Sequence, residues 1–399
     1  MTDEFLHGVE VVEIDSGPRP IRTVKSSVIG LVGTAPDAKE DVFPYDTPVL
    51  LAGSLKKAEQ LGNTGTLPAA LQGIFDQIGA MVVVIRVNDK PPAAPETTDN
   101  ENTALGAIIG KKGEPNTGIY ALLDAKSTVH VEPRILIAPE FSHIKAAADA
   151  LITAAERLGG VAIIDSPNTT GEEAVNYRKK FGKRYAYLVD PWVKVWNSNA
   201  NEGKGGIVIE PPSARVAGLM AKIDNDNGFW HSPSNKLING VLGTARPIDF
   251  KLGDKNCRAN YLNSNEVTTI IQENGYRLWG NRTCSGDPKW AFINVVRTAE
   301  IIYDSLQRAH MWAVDRNISK NYVADVTEGV NNYLRRLKNI GAILGGTCWA
   351  DPDLNTPDAL ADGKVYFNFD FTPPTPAEHI TFNATLTDDY FKEVLSARQ

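Results

Sequence analysis

The residues best placed to do chemistry are three carboxylates beside prolines. Glu140 follows Ala138-Pro139, Asp165 precedes Ser166-Pro167, and Asp190 precedes Pro191. Each lies at the end of an apolar run that reads as a strand: 133–139 (PRILIAP), 161–165 and 186–190. In a doubly wound sheet, ligands sit beyond the carboxyl ends of the strands. Two aspartates and one glutamate there could hold a metal or move a proton. The supporting residues are missing from the sequence. None of the six histidines (His7, His130, His143, His231, His310, His379) falls two to five residues from another histidine or from a cysteine, as zinc spacing requires. Gly30 and Gly33 in SVIGLVGT are followed by Thr34-Ala35-Pro36-Asp37, not by the Lys-Ser/Thr of a phosphate loop. They suit close packing and a turn instead. No GxGxxG follows a strand, and no GxSxG, HExxH or EF-hand loop occurs. Proline beside each carboxylate suits a turn. The acids read as structural, and no enzyme, cofactor or metal is expected. The alternatives are an α/β enzyme or a monomeric ligand-binding protein built on these strand-end acids.

The elements that would position those acids alternate. Strands are expected at 27–34, 81–87, 133–139, 161–165 and 186–190, and a strand-then-helix at 48–61. Helices are expected at 67–78, 104–109, 118–124, 142–158 and 171–181. Continuous apolar strands separated by helices predict a mostly parallel α/β layer with right-handed crossovers. Segment 90–103 (KPPAAPETTDNENT) and segment 197–212 (NSNANEGKGGIVIEPP) read as surface loops. A helix follows at 215–223. Residues 224–233 are turn-rich, with Phe229 and Trp230 read as a core lid, and 240–275 as strand-like pieces.

The C-terminal third is a different kind of unit. Segment 275–317 holds three of the seven tryptophans, Trp279, Trp290 and Trp312. Val295, Ala299, Ile302, Leu306, Ala309 and Ala313 recur at the spacing of one helical face. Arg297, Glu300, Asp304 and Arg308 fall on other faces. Asp287-Pro288 is the expected entry to this helix. A second long helix is expected at 319–339, with Val323, Val326, Val330, Tyr333 or Leu334, and Leu337 on its buried face. Asp325 and Glu328 precede Arg335, Arg336 and Lys338, a polarity that suits the helix dipole. A strand is expected within 341–350. Segment 364–371 (KVYFNFDF) alternates, with Val365, Phe367, Phe369 and Phe371 on one face. After Pro373-Pro374-Thr375-Pro376 another strand is expected at 380–386, including Ile380 and Phe382. A short helix then starts at Thr387 with Tyr390, Phe391, Val394 and Leu395.

At 399 residues the chain should form two or more domains. A net charge of −7 argues against nucleic-acid binding, and no apolar run is long enough to span a membrane. The acidic start, MTDEFLHGVEVVEID, is not a signal peptide. Cys257, Cys284 and Cys348, odd in number and widely spaced, suggest a reducing compartment. Val9, Val11 and Ile14 form a short strand-prone run that Gly17-Pro18-Arg19-Pro20 breaks before any partner appears. Such a strand must pair elsewhere, in its own chain or another.

Four separated motifs, in order, carry a resemblance: FLHGVEVVEID; PPSARVAGLMAKIDNDNGFWHSPSNKLINGVLG; GYRLWGNRTCS with AHMWAVDRN; and DGKVYFNFDFTPPTPAEHITFNATLTDDYF. Over nearly the whole chain the sequence resembles the contractile tail sheath proteins of myophages and R-type pyocins. The resemblance implies a virion or pyocin tail component, assembled in the bacterial cytoplasm. It would polymerise with itself as stacked hexameric rings around an inner tube and contract to drive that tube through a cell envelope. Baseplate and tail-terminator proteins would be its other partners. It implies an outer α/β domain (23–250), an α+β C-terminal core domain (251–376), an N-terminal arm (1–22) and a C-terminal arm (377–399). Strands around Val9, Val11 and Ile14, Val365, Phe367 and Phe369, and Ile380 and Phe382 would pair between subunits. Lys320, Arg335, Arg336 and Lys338 would face the tube.

Overall fold

The computed structural model describes residues 20–53, 55–88, 100–198, 200 and 204–391. The expected strand residues Val9, Val11 and Ile14, and the helix residues Val394 and Leu395, lie outside that range. In chain order the elements begin with β1 (Ile29–Thr34), β2 (Val49–Ala52), α1 (Leu55–Ala58), α2 (Thr66–Phe75), β3 (Met81–Val87), α3 (Asn100–Ile109) and α4 (Ala125–Val129). They continue with β4 (Ile135–Ile137), α5 (Lys145–Leu158), β5 (Val161–Asp165), α6 (Gly171–Arg178), β6 (Ala186–Val189), β7 (Val193–Asn197), β8 (Gly206–Glu210) and α7 (Ser213–Asp226). Then come β9 (Lys236–Leu237), β10 (Val241–Thr244), α8 (Arg258–Ser264), β11 (Thr269–Gln272), β12 (Tyr276–Trp279) and α9 (Ile293–Ala309). The C-terminal elements are α10 (Lys320–Asn339), β13 (Gly345–Ala350), α11 (Pro357–Ala361) and β14 (Phe367–Thr372).

A six-stranded sheet, in the order β2-β3-β1-β4-β5-β6, is the frame. All its pairings are parallel except β2 with β3. Its strands alternate between two cores. Ile29, Leu31, Val82, Val84, Ile135, Ile137, Ile163 and Tyr187 face one, which α2 and α7 complete. Val32, Val83, Ile85, Leu136, Ala162, Ile164 and Leu188 face the other, with α5 and α6. A sheet covered on both faces explains the uninterrupted apolar strands. Each valine, leucine or isoleucine among them, removed from water, contributes about 1.5–3 kcal/mol. A Cβ on Gly30 would sit 2.7 Å from Leu136 Cδ2, so this glycine serves close packing. The start of α2 is closed by a reciprocal pair: Thr34 N donates to Thr66 Oγ1 (3.0 Å) and Thr66 N to Thr34 Oγ1 (3.2 Å). Those amides are thereby occupied within the chain.

Three local expectations are corrected. The segment read as a loop at 197–212 contains β8, antiparallel to β7, where the β-branched run Ile207-Val208-Ile209 favours extended backbone. The strand-like stretch 240–275 contains the helix α8. Asp287 does not start the long helix. Its Oδ1 caps only a 3₁₀ turn, Pro288–Trp290, and α9 begins after an extended Phe292. Ser319 does cap α10, through its bond from Tyr322 N (3.1 Å). Val326, Val330, Tyr333, Leu334 and Leu337 form the buried face of α10. Among the described residues, no helix is long and apolar enough to cross a membrane.

Candidate assembly interface

A third core is built where α9 and α10 meet the two-stranded ribbon β13–β14. Ile301, Ile302, Leu306, Val330, Tyr333, Leu334, Leu337 and Cys348 form it, and Ile21 and Phe229 join them. Phe367, Phe369 and Phe371 pack onto it. Tyr303 stands edge-on to Phe369 and Phe371, with centroids at 6.2 and 5.9 Å. Alternate phenylalanines therefore point inward, as the period-two pattern requires. Val365 lies half-buried just ahead of β14.

The ribbon has two long edges, and they differ. On β13, Cys348 N donates to Asn331 Oδ1 (2.8 Å), and Asn331 Nδ2 donates to Cys348 O (2.9 Å). One side-chain amide from α10 thus does the work of a strand residue and closes that edge at its middle. Cys348 lies opposite Phe369 in the antiparallel register. Since the backbone groups of Cys348 point away from β14, those of Phe369 point away from β13. By alternation the same holds for Phe367 and Phe371. These backbone groups have no hydrogen-bond partner among the described residues. The outer edge of β14 is open.

Beyond β14 the described residues do not return to their own sheet. Asn294 Nδ2 donates to Pro374 O (3.0 Å), and the Arg282 guanidinium grips the Glu378 carboxylate (Nε at 2.9 and 3.1 Å, Nη2 at 2.5 Å). From His379 to Phe391 every residue is exposed. The expected strand at 380–386 makes no ladder with the rest of the described chain. Ile380, Phe382 and Leu386 stand 67%, 90% and 99% exposed, although their alternation with Thr381, Asn383 and Thr385 suits a half-buried strand.

Lys320, Arg335, Arg336 and Lys338 all lie at the surface of α10. Arg335 pairs with Glu328 (2.7 Å). Arg336 reaches Ile21 O (2.7 Å) and Thr23 Oγ1 (3.3 Å), so it pins the segment that leads out of the N-terminal arm. Lys320 and Lys338 have no ion-pair partner among the described residues.

The strand-end acids share no hydrogen bond with one another, although the Glu140 charge adds to the upward shift of Asp165, and Glu140 is itself shifted up by burial and by Glu210. Asp165 is fully buried and accepts from Ser142 Oγ (2.7 Å), Ser213 N (2.9 Å) and Ser213 Oγ (2.7 Å), tying the ends of β5, α5 and α7 together. Burial pushes its pKa up to about 6 against the opposing pull of those donors. Asp190 accepts from Ser166 Oγ and pairs with Arg246. Its pKa is raised by burial, which the arginine opposes. Glu140 is exposed, in a left-handed conformation (φ 68°). Among the described residues no group of three His, Cys, Asp or Glu side chains could hold a metal ion.

Sequence reasoning missed the polar seam along α9. Arg297 forks onto Asp224 of α7 (Nη1 at 2.8 Å) and also reaches Ser26 O. Glu300 takes Arg184 (2.7 Å) and Tyr185 (3.1 Å). Asp304 contacts Arg134, and Arg308 contacts Glu132. These residues recur at steps of three and four. That periodicity, with partners just before β4, in α7 and at Arg184, was the available signal. Asn331 gave no signal, because one asparagine in a polar stretch of helix is ordinary.

Three family models match in sequence order: the tail sheath protein Gp18 domain III N-terminal region over 26–87, the phage tail sheath protein central domain over 115–284, and the phage tail sheath C-terminal domain over 285–387. A putative prophage major tail sheath protein of Pseudomonas aeruginosa (strain UCBPP-PA14) is 44% identical over 392 residues, 98% of this chain and 99% of the relative. The tail sheath protein of Escherichia phage P2 is 36% identical over 401 residues, 99% and 98% of the two chains. In fold, the chain is similar to the sheath of an extracellular contractile injection system (PVC) in its contracted state. The TM-score is 0.69 at 17% identity, over 98% of this chain and 99% of that one. It is likewise similar to the contracted helical sheath of the anti-feeding prophage, with a TM-score of 0.68 at 19% identity over 96% and 100%. Full-length relatives at this identity, carrying the same three regions in the same order, make the chain a member of the phage tail sheath protein family, a structural sheath subunit and not an enzyme.

Proposed function

We propose that this chain polymerises by exchanging terminal strands, forming stacked hexameric rings around an inner tube, and that the resulting lattice contracts to drive the tube through a cell envelope. The observation that carries the reading is a mismatch within one molecule. Among the described residues, β14 offers an open edge over an aromatic core, while Ile380, Phe382 and Leu386 offer a strand pattern with no partner. A second copy satisfies both. Three edge residues with an N–H and a C=O each give about six hydrogen bonds, worth about 3–9 kcal/mol before ordering costs. The N-terminal arm with Val9, Val11 and Ile14 would add a further strand. Heterologous contacts of this kind close into rings where the rotation permits and grow as a helix where it does not. Contracted sheaths among proteins of this fold support the motion. The anti-feeding prophage baseplate, which holds a chain of the same fold (TM-score 0.65), supports a baseplate partner. Contraction then draws on energy held in the extended lattice, as tube contacts at Lys320, Arg335, Arg336 and Lys338 give way to sheath–sheath contacts.

Deletion tests the proposal. Chains lacking residues 1–16, or residues 379–399, should remain folded by circular dichroism yet form no tubes in electron micrographs. Normal tubes from either deletion would remove that arm from the mechanism.

A further inference from the structure

Only seven residues, 373–379, separate the end of β14 from the expected strand at 380–386, few enough to invite a shortcut. A strand at 380–386 on so short a connection could fold back antiparallel onto the open edge of β14. The subunit would then cap itself and be lost to the polymer. In the structure it does not. The segment between is tied down twice, four residues apart: Pro374 O to Asn294, and the Glu378 carboxylate to Arg282. Both anchors lie at the entrance of α9. Asn294 is in its first turn, buried, with its other amide bond to Trp230 O (3.0 Å). Arg282 pairs through its backbone with Phe292 and lies over that ring at 5.5 Å.

β14 sits further along the same helix, where Phe369 and Phe371 meet Tyr303. The near end of β14, Thr372, is two residues from Pro374, so a fold-back requires the chain to reverse within 373–379. Both tethers fall inside that link, and while they hold, it runs along the entrance of α9 instead of turning back beside β14.

We propose that Arg282 and Asn294 form a latch that holds the C-terminal arm off its own ribbon, so that the β14 edge stays free for another copy. The proposal rests on the strand-exchange reading above. Arg282 and Glu378 are positioning residues. Both are over a third exposed, so their pair contributes little to the stability of the single subunit.

The test uses full-length Arg282→Glu and the charge-swapped Arg282→Glu/Glu378→Arg, both checked for wild-type circular dichroism. In the unpolymerised single variant, the amides of Phe367, Phe369 and Phe371 should exchange with deuterium about tenfold more slowly than in wild type. The yield of tubes should fall, and the swap should restore both. Wild-type tube yield from Arg282→Glu would overturn the latch. So would a reduced yield without slower exchange at those three amides. The strand-exchange reading fails separately, if a chain ending at Glu378 still forms ordered tubes.

Discussion

Asp165 shows how a residue that looks chemical can be wholly structural. Its position at a strand end was legible in the sequence. Its role was not, because Ser142 and Ser213 lie 23 and 48 residues away and only the fold brings them together. Its carboxyl has a pKa near 6 in the folded chain, against 3.8 for the ordinary group. Between these values the folded state holds more protons than the unfolded one. This group therefore adds stability as the pH falls below about 6, and the gain is lost as the pH rises through that value. The melting-temperature difference between wild type and Asp165→Asn should grow in favour of wild type from pH 7 to pH 5, equivalent to about 1 kcal/mol. A gap that stays flat or shrinks would mean that this carboxyl is not held protonated.

At the scale of elements, strands β1 and β3 were legible as unbroken apolar runs, and helices α5, α9 and α10 because their periodicity is strong and their burial follows it. The exceptions have physical causes. β8 was hidden by the glycines before it. The start of α9 was misplaced because Asp287-Pro288, a good helix entry, instead caps a 3₁₀ turn. The strand at 380–386 has the right pattern but no partner among the described residues, so no ladder forms there. The seam along α9 was seen only as polar positions, yet Arg297 and Asp224 are 5% and 1% exposed. Arg297→Ala would leave Asp224 as a buried charge without its partner. It should cost about 3–5 kcal/mol in chemical denaturation, whereas replacing both residues by apolar ones should recover most of that loss. A single-variant loss below about 1 kcal/mol would show that water reaches the pair.

At the scale of the whole molecule, the third core joins the α/β body to the ribbon and places the basic end of α10 on the surface. Charge reversal at Arg335 and Lys338 should weaken co-assembly with the tube while leaving sheath-only polymers intact, and added salt should mimic the reversal. Unchanged co-assembly in ordinary salt would remove this helix from the tube contact. Arg336 is a poor probe for that purpose, because it also pins Ile21 and Thr23. The side chain of Asn331 has one more effect. With β13 blocked at its middle, strand exchange as proposed would add strands from other copies on one flank only. Two incoming strands must then queue: the first to dock becomes the platform for the second. Assembly at each node acquires a fixed sequence in time, and dismantling must run it in reverse.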